Sequence, residues 1–199
     1  MVKRAFDIFF SVGTLLVLSP LLLTVALWVR FDSPGPVFFR QRRVGRYGRE
    51  FLIFKFRTMH VDAEVRGPQI TVGADARITC SGAFLRKYKI DEFPQFLNVM
   101  FGDMSVVGPR PEVPHYVALY PEGLRELVLS VRPGITDLAS IEYRDENELL
   151  GASTDPEKTY ITEVMPAKLA YCARYVRERS FAGDLVIIRR SFSASFVRH

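Results

Sequence analysis

The densest group of charged residues in the sequence runs from Arg86 to Glu92. Three cations, Arg86, Lys87 and Lys89, stand just before two adjacent carboxylates, Asp91 and Glu92. A carboxylate can attack phosphorus and form an acyl phosphate, which splits a group transfer into two steps. A pyrophosphate substrate is itself anionic, so such a site needs Mg²⁺ and basic side chains to neutralise the phosphate oxygens. The two carboxylates can then divide the work, one attacking phosphorus while the other binds metal.

A purely structural role explains the same residues. The pair stands where a helix is expected to start, so Asp91 can cap that helix, Glu92 can favour its positive end, and Pro94 is tolerated in its first turn. The local sequence leaves both interpretations open. The functional one needs cations that converge on the pair, and the available ones are Lys55, Arg57, Arg86, Arg110 and Arg144.

Other chemistries have weaker signals. The sequence contains neither a GxxxxGKS/T nor a GxGxxG phosphate loop, which counts against a nucleotide hydrolase or a Rossmann dehydrogenase. The net charge of +5 favours anionic partners. Two non-enzymatic alternatives stay open: a membrane-tethered basic module that binds anionic lipid or nucleic acid, and a membrane scaffold. The histidines and cysteines match no metal-site or triad spacing; they are His60, His115, His199, Cys80 and Cys172.

An apolar segment precedes all of these residues. Positions 8–29 form a run of 22 residues without a charge. A helix of this length is about 33 Å long, enough to cross a hydrocarbon core of about 30 Å. Pro20 at its midpoint bends the helix, and the Ser19 hydroxyl can bond a carbonyl one turn earlier. Cations flank both ends, with Lys3 and Arg4 in front, which favours a re-entrant helix whose two ends share one membrane face. One straight spanning helix is the alternative.

After residue 32 the composition becomes that of a soluble domain. Two aromatic-rich runs, 37–42 and 51–56, predict a β-hairpin. The segment 108–114 is rich in proline and predicts a rigid irregular loop. A last basic amphipathic helix begins at 185–190 and suits either a membrane surface or the core. The hairpin loop is expected to carry a basic tip of Arg42, Arg43, Arg46 and Arg49, and further helices are expected at 83–87, 93–100, 122–130 and 156–179.

Longer motifs also recur in a characteristic order. They are KRAFD (3–7), the apolar segment with Ser19-Pro20, SPGPVFFRQ (33–41), FKFRTM (54–59), IDEFPQ (90–95), GDMSVVGPRP (102–111) and VRPGIT (131–136). In these motifs, and over nearly its whole length, the chain resembles the bacterial sugar transferase family, the monotopic polyprenyl-phosphate phosphoglycosyl transferases. The resemblance implies an α+β, mainly helical fold with a re-entrant membrane helix (1–32), a cytoplasmic catalytic domain (33–199), a small β-hairpin and surface amphipathic helices.

The resemblance also implies an activity. Asp91 would attack the sugar-proximal phosphate of a UDP-sugar and expel UMP, and polyprenyl (undecaprenyl) phosphate would then take the phosphosugar from the enzyme. Glu92, with Asp91, would hold Mg²⁺. The implied partners are these two substrates and the cytoplasmic leaflet of a bacterial inner membrane, with a homodimer as one candidate assembly and no nucleic acid. The elements that correspond to the family's phosphate site are Lys55, Arg86 and the loop Pro109-Arg110-Pro111.

The chain departs from the common family pattern after Thr136. Many members continue with a Trp-Ala-Gln-Val-like stretch that ends in Gly-Arg-Asn, whereas this sequence reads DLASIEYRDE over 137–146. Arg144 is expected to keep the arginine role. The altered neighbours leave the sugar open, and the sequence does not name the polyprenol or the glycan pathway. Without the additional transmembrane region of larger relatives, the chain resembles the minimal catalytic form.

Overall fold

The computed structural model describes residues 2–63 and 75–196. This part of the chain is mainly helical with two small sheets, which confirms the expected fold class. His199 and most of the polar stretch before Thr79 lie outside it. The helices are α1 (Val2–Asp32), α2 (Cys80–Lys87), α3 (Gln95–Phe101), α4 (Pro114–Val117), α5 (Glu122–Leu129), α6 (Leu138–Glu142), α7 (Glu146–Gly151), α8 (Pro156–Thr159), α9 (Met165–Glu178) and α10 (Phe181–Phe196). The strands are β1 (Phe38–Val44), β2 (Glu50–Phe56), β3 (Ser105–Val107) and β4 (Gly134–Thr136).

Helix α1 is long, apolar and poorly covered by the rest of the protein. Its most apolar stretch has a mean hydropathy of 2.2, and 11% of that stretch is buried. Leu16, Val17 and Leu23 expose 68%, 78% and 64% of their surface. Within the described residues α1 is the one helix long and apolar enough to cross a membrane. A core helix of this composition would be buried on all sides, so the exposed surface suits contact with hydrocarbon.

Helical structure in α1 continues through Pro20, so the bend expected at Ser19-Pro20 does not end the helix. Pro20 has no N–H to donate to the carbonyl of Leu16. The Ser19 Oγ donates to that carbonyl at 2.8 Å, as the sequence predicts, and the Thr24 Oγ1 donates to the carbonyl of Pro20 at 2.9 Å. Since unpaired carbonyls are costly in an apolar medium, the Ser19 hydroxyl helps one helix to run through the proline.

Both ends of α1 are tied to the rest of the protein. Near the amino terminus the buried carboxylate of Asp7 accepts a hydrogen bond from Ser105 Oγ at 2.8 Å. At the other end the carboxylate of Asp32 accepts from the backbone N–H and the hydroxyl of Ser81, at 2.9 and 2.8 Å. Side chains from both halves of the helix also join the apolar core. The two ends of the lipid-suited helix are therefore fixed to one globular unit.

The two sheets supply the frame on which the loops rest. Strands β1 and β2 pair antiparallel, from Phe38 opposite Phe56 to Val44 opposite Glu50, which confirms the expected hairpin. Strands β3 and β4 pair in parallel, and β3 is fully buried. One core cluster joins the strands β2 and β3 to α3, α9 and α10, and another joins α1, the end of β2 and α2. A further cluster lies among α4, α5, α7 and α9 with the helical turn before α9.

The basic tip of the hairpin is smaller than the sequence suggests. Strand β1 continues past Arg43, so Arg42 and Arg43 lie in the strand and not in the loop. Arg43 is turned inward and donates to the carbonyl of Pro111 at 3.0 Å. Arg46 donates through Nε to the carbonyl of Ser130 at 2.9 Å. These arginines stabilise neighbouring loops, so the expected cluster of four surface cations is wrong.

The carboxyl-terminal helices pack against the core. The run expected at 156–179 is helical from Pro156 to Glu178, with a π-helical turn, Tyr160–Val164, between α8 and α9. In α10, Asp184 and Ile187 are buried, while Val186 and Phe192 expose 50% and 57% of their surface. One face of α10 packs on the core, and its other face presents apolar side chains.

Candidate active site

The two adjacent carboxylates, called the dyad below, lie on a short turn between α2 and α3. Helix α2 begins at a Thr79 cap, whose hydroxyl accepts from the N–H of Gly82 at 3.0 Å. A Cβ on Gly82 would lie 2.0 Å from the carbonyl oxygen of Thr58, so glycine lets α2 pack against the backbone just after β2. Lys89 then adopts a left-handed conformation, with φ of 57°, and turns the chain into the 3₁₀ turn Ile90–Glu92. This turn places the dyad beside the end of β2.

Asp91 is a buried carboxylate and does not cap a helix. Helix α3 begins only at Gln95, and its capping position is Pro94, so the capping interpretation is wrong. Asp91 is 7% exposed, and its Oδ1 is buried with no hydrogen-bond partner in the described part of the chain. Burial raises the pKa of Asp91, the charge of Lys55 opposes this, and the negative charge of Glu92 adds to it. A buried carboxylate oxygen without a partner is rare in folded proteins, which makes Asp91 the candidate for bonding a substrate or a metal ion.

The pKa of Glu92 is shifted in the opposite direction, because Glu92 is paired with two cations. Lys55 Nζ donates to Oε1 at 2.8 Å, and Arg110 grips both carboxylate oxygens, with Nη1 to Oε2 at 3.0 Å and Nη2 to Oε1. Burial alone would raise the pKa of Glu92, but Arg110 and Lys55 together hold it well below its usual range. Glu92 raises the pKa of Arg110 in return. Adjacent carboxylates in the chain thus have pKa values displaced in opposite directions, a pattern typical of catalytic carboxylate pairs.

The loop that carries Arg110 is fixed by the parallel strand pair. The carbonyl of Pro109 accepts from the N–H of Gly134 at 2.9 Å. Gly108 and Gly134 lie face to face, because a Cβ on Gly134 would come within 2.1 Å of the Gly108 nitrogen. The N–H of Arg110 donates to Asp137 Oδ2 at 3.0 Å, and Asp137 also caps α6. The expected rigid loop therefore holds Arg110 in a fixed position beside the dyad.

The other cations of the sequence prediction separate into two groups. Burial lowers the pKa of Arg86 while the charge of Asp91 raises it, so Arg86 belongs electrostatically to the dyad. Arg57 instead donates to the carbonyls of Val29, Ser33 and Pro34 and closes the end of α1. Arg144 forms an ion pair with Asp145 at 3.2 Å, and its side chain is 38% exposed. The contacts described for Arg57 and Arg144 are therefore with the end of α1 and with Asp145, and their substrate-binding role stays a prediction.

Three residues outside the predicted set also shape the site. Asn98 accepts from the N–H of Phe54 at 2.9 Å and donates to the carbonyl of Leu52 at 2.9 Å, which locks α3 onto β2. Arg43 and Asp137 hold the loop around Arg110 from opposite sides. Asn98 comes three residues after the IDEFPQ motif, one helical turn further, so the helix expected at 93–100 would carry it close to the dyad. Arg43 and Asp137 act through long-range contacts that no local pattern reveals.

A magnesium ion at the dyad would need further ligands from a substrate. Magnesium at nucleotide sites usually takes one or two carboxylates together with substrate phosphates. Asp91 Oδ1 is unpaired, and Lys55 and Arg110 use three of the roughly four lone-pair positions of Glu92. The described residues contain no group of three or more His, Cys, Asp or Glu that could hold a metal. The donor set thus suits a metal that substrate oxygens help to bind.

Comparison with known proteins decides the family. The model of the bacterial sugar transferase family matches residues 1–198. The chain belongs to this family. The resemblance seen in the sequence is therefore confirmed, and it covers both α1 and the globular part that carries the dyad.

The relatives of this family member have related names. The chain is 43% identical over 195 residues to the exopolysaccharide production protein PSS of Rhizobium leguminosarum bv. phaseoli, covering 94% of this chain and 90% of that protein. It is 36% identical to the UDP-N-acetylgalactosamine-undecaprenyl-phosphate N-acetylgalactosaminephosphotransferase of Aeromonas hydrophila, covering 94% of this chain and 42% of the relative. It is also 36% identical to the UDP-glucose:undecaprenyl-phosphate glucose-1-phosphate transferase of Escherichia coli K12, covering 99% of this chain. The chain spans 40% of the length of that last protein.

Proposed function

We propose that this bacterial sugar transferase moves a sugar 1-phosphate from a UDP-sugar to undecaprenyl phosphate, in exopolysaccharide assembly. The observation that carries the proposal is the dyad, in which a buried Asp91 with an unpaired oxygen lies beside a Glu92 bound by Arg110 and Lys55. Relatives with both substrates in their names support the substrate classes. Since those names differ in the sugar, the donor is proposed only as a UDP-hexose or UDP-N-acetylhexosamine.

In the first step a carboxylate oxygen of Asp91 attacks the sugar-proximal phosphorus. A bond between that oxygen and phosphorus forms while the bond from phosphorus to the bridging oxygen breaks, and UMP leaves with the bridging oxygen. The enzyme then carries the sugar phosphate as an acyl phosphate. Arg86 and Lys55 offset the negative charge that otherwise repels a carboxylate from a pyrophosphate.

In the second step an oxygen of the lipid phosphate attacks the same phosphorus. The bond from phosphorus to Asp91 breaks, the carboxylate is regenerated, and the product is polyprenyl-diphosphate-sugar. Glu92 stays ionised throughout because Arg110 and Lys55 hold its pKa low, so it keeps the cations in place. Asp91 and Glu92 are also proposed to hold Mg²⁺, which would neutralise phosphate oxygens.

The membrane arrangement is part of the proposal. Helix α1 has 31 residues and is therefore about 46 Å long, more than the thickness of a hydrocarbon core of about 30 Å. A straight spanning helix would leave its two ends on opposite sides. Both ends of α1 bind the same globular unit, through Asp7 and Asp32. This supports a helix that enters and leaves by one face, which we place at the cytoplasmic side of the inner membrane.

UMP release by the purified protein tests the activity. A panel of UDP-sugars is offered with Mg²⁺ and undecaprenyl phosphate, and we expect release with one or a few donors. Chelation of Mg²⁺ should stop it, and added Mg²⁺ should restore it. No UMP with any donor, from folded protein, would overturn the proposal, and turnover that survives chelation would remove the metal from it.

A further inference from the structure

Helix α2 has two chemically different sides. Leu85 is fully buried, and Arg86 is within the electrostatic field of Asp91. Phe84 and the C-cap residue Tyr88 stand four residues apart, so they share one side of the helix, roughly opposite Arg86. They expose 43% and 47% of their surface. The helix that leads into the dyad therefore presents aromatic rings outward.

These rings join the end of α1. The ring centroids of Trp28 and Phe84 are 5.4 Å apart, and those of Phe84 and Tyr88 are 4.6 Å apart. We call Trp28, Phe84 and Tyr88 the aromatic cluster. It continues the exposed apolar surface of α1, where Leu27 and Phe31 expose 52% and 83%. Trp and Tyr concentrate at the boundary between hydrocarbon and water, so the aromatic cluster marks the level at which α1 meets the membrane surface.

Cations connect the aromatic cluster to the dyad. Lys87 Nζ lies 5.7 Å from the centroid of the Tyr88 ring. Lys89 follows in its left-handed conformation and Asp91 is two residues further. Lys87 and Lys89 are both exposed and lie between the aromatic cluster and Asp91 along the chain, so positive charge is available on this path. An apolar surface thus leads directly into a cationic approach to the reacting group.

We propose that the aromatic cluster binds the isoprenoid chain of the polyprenyl phosphate acceptor and directs its phosphate towards Lys89 and Asp91. The inference rests on the proposed function and adds the site of the lipid. The apolar isoprenoid chain suits the aromatic faces at one end of this surface, and the anionic phosphate suits the cations at the other end. A bulk phospholipid at the same place would hold its own phosphate over the dyad and exclude the acceptor. The surface is therefore assigned to the acceptor.

Trp28 is a built-in reporter, because the sequence contains one tryptophan. The protein is reconstituted in vesicles of brominated phosphatidylcholine, whose bromine atoms quench tryptophan fluorescence on contact. Undecaprenyl phosphate should displace brominated lipid from the aromatic cluster and restore the emission of Trp28 with saturation. Undecaprenol, which lacks the phosphate, should restore less. Emission that stays quenched at acceptor concentrations that saturate turnover would overturn the proposal.

Kinetics separate the acceptor site from the donor chemistry. In Phe84→Ala/Tyr88→Ala, loss of two ring contacts should raise the KM for undecaprenyl phosphate about tenfold. UMP released from UDP-sugar in the absence of acceptor should be unchanged, since that step does not use the lipid. The matched control is Phe192→Ala, which removes an equally apolar ring that is 57% exposed on α10.

The outcomes distinguish this proposal from the one on which it rests. An acceptor KM that rises in the double variant alone, with normal UMP release, supports the aromatic cluster as the acceptor site. An equal rise in Phe192→Ala would show general membrane affinity and overturn it, as would an unchanged KM in the double variant. Absence of UMP release by the wild-type protein would instead overturn the proposed function itself.

Discussion

The two neighbouring carboxylates provide a matched pair of substitutions with opposite expected effects on stability. Asp91→Asn and Glu92→Gln each replace one carboxylate by the amide of the same shape. Glu92 is paired with two cations, whereas Asp91 Oδ1 is buried without a partner. We therefore expect the first change to be tolerated by the fold and the second to destabilise it.

The cost of Glu92→Gln follows from the ion pairs that it breaks. Removing one partner of a buried pair costs about 3–5 kcal/mol, because the remaining charges stay buried and unpaired. The side chains of Glu92, Lys55 and Arg110 still expose 14%, 18% and 29%, so solvent screens them partly. We expect a loss of about 2–3 kcal/mol in the free energy of unfolding. At about 2–4 °C per kcal/mol for a protein of this size, Tm should fall by about 4–12 °C.

Asp91→Asn should behave differently. Burial raises the pKa of Asp91, which means that its ionised form is destabilised in the folded protein. The neutral amide removes that penalty but leaves a buried polar group, so we expect a change between zero and a gain of about 1 kcal/mol. UMP release should nevertheless be abolished, because an amide does not attack phosphorus. Loss of activity with retained or increased stability is the signature of a functional residue.

Thermal unfolding of wild type and both variants, in the same detergent and buffer, measures the difference. The pair of Tm values should separate by at least about 4 °C, with Glu92→Gln the lower. Arg110→Lys provides a further check, because it keeps the charge but loses the two-point grip on Glu92, and it should fall between wild type and Glu92→Gln. Equal Tm values for the two amide variants, or a larger loss for Asp91→Asn, would refute the reasoning.

Three further predictions concern other parts of the molecule. The attacking form of Asp91 is ionised and its pKa is raised, so UMP release should fall with decreasing pH through a value above the usual aspartate pKa of about 3.9; a pH-independent rate down to that value would contradict this. Arg57→Ala leaves three carbonyls without their donor and should lower the free energy of unfolding by about 2–4 kcal/mol, measured by thermal unfolding. The KM for UDP-sugar should be unchanged. A stable variant with a raised KM would instead support the predicted role of Arg57 in substrate binding. In Gly134→Ala the added Cβ meets the Gly108 backbone, so the variant should have a lower Tm. Gly123→Ala places its Cβ in open space on α5 and should be neutral or stabilising. Similar Tm values for the two variants would contradict the close approach of Gly108 and Gly134.

The sequence predicts the elements whose signals are local. The hairpin follows from aromatic alternation interrupted by glycines, and α1 follows from a long uncharged run. The Ser19 hydroxyl bond to Leu16 was also foreseeable, because a proline always leaves the carbonyl four residues earlier without its N–H donor. The continuity of the helix through Pro20 was not foreseeable, since it depends on how completely neighbouring hydroxyls donate to the backbone carbonyls.

The convergence of cations on the dyad depends on tertiary structure, and here the sequence was only partly informative. Lys55 and Arg57 are two residues apart and would share one side of a continuous strand. Strand β2 ends at Phe56, so Arg57 turns instead to the end of α1. Arg110 reaches Glu92 because β3 and β4 pair in parallel, and Asp137 holds its backbone from 27 positions away. No local pattern carries these contacts.

The most direct test of the central claim is a single-turnover experiment without lipid acceptor. Enzyme and UDP-sugar are mixed with Mg²⁺, released UMP is counted per enzyme, and the protein is digested for mass spectrometry. We expect a burst of about one UMP per enzyme, as in covalent catalysis in two steps, and a sugar phosphate on the peptide that contains Asp91. Undecaprenyl phosphate should then discharge the adduct, and Asp91→Asn should show neither burst nor adduct. UMP that appears only when the acceptor is present, with Asp91 unmodified, would contradict the covalent mechanism.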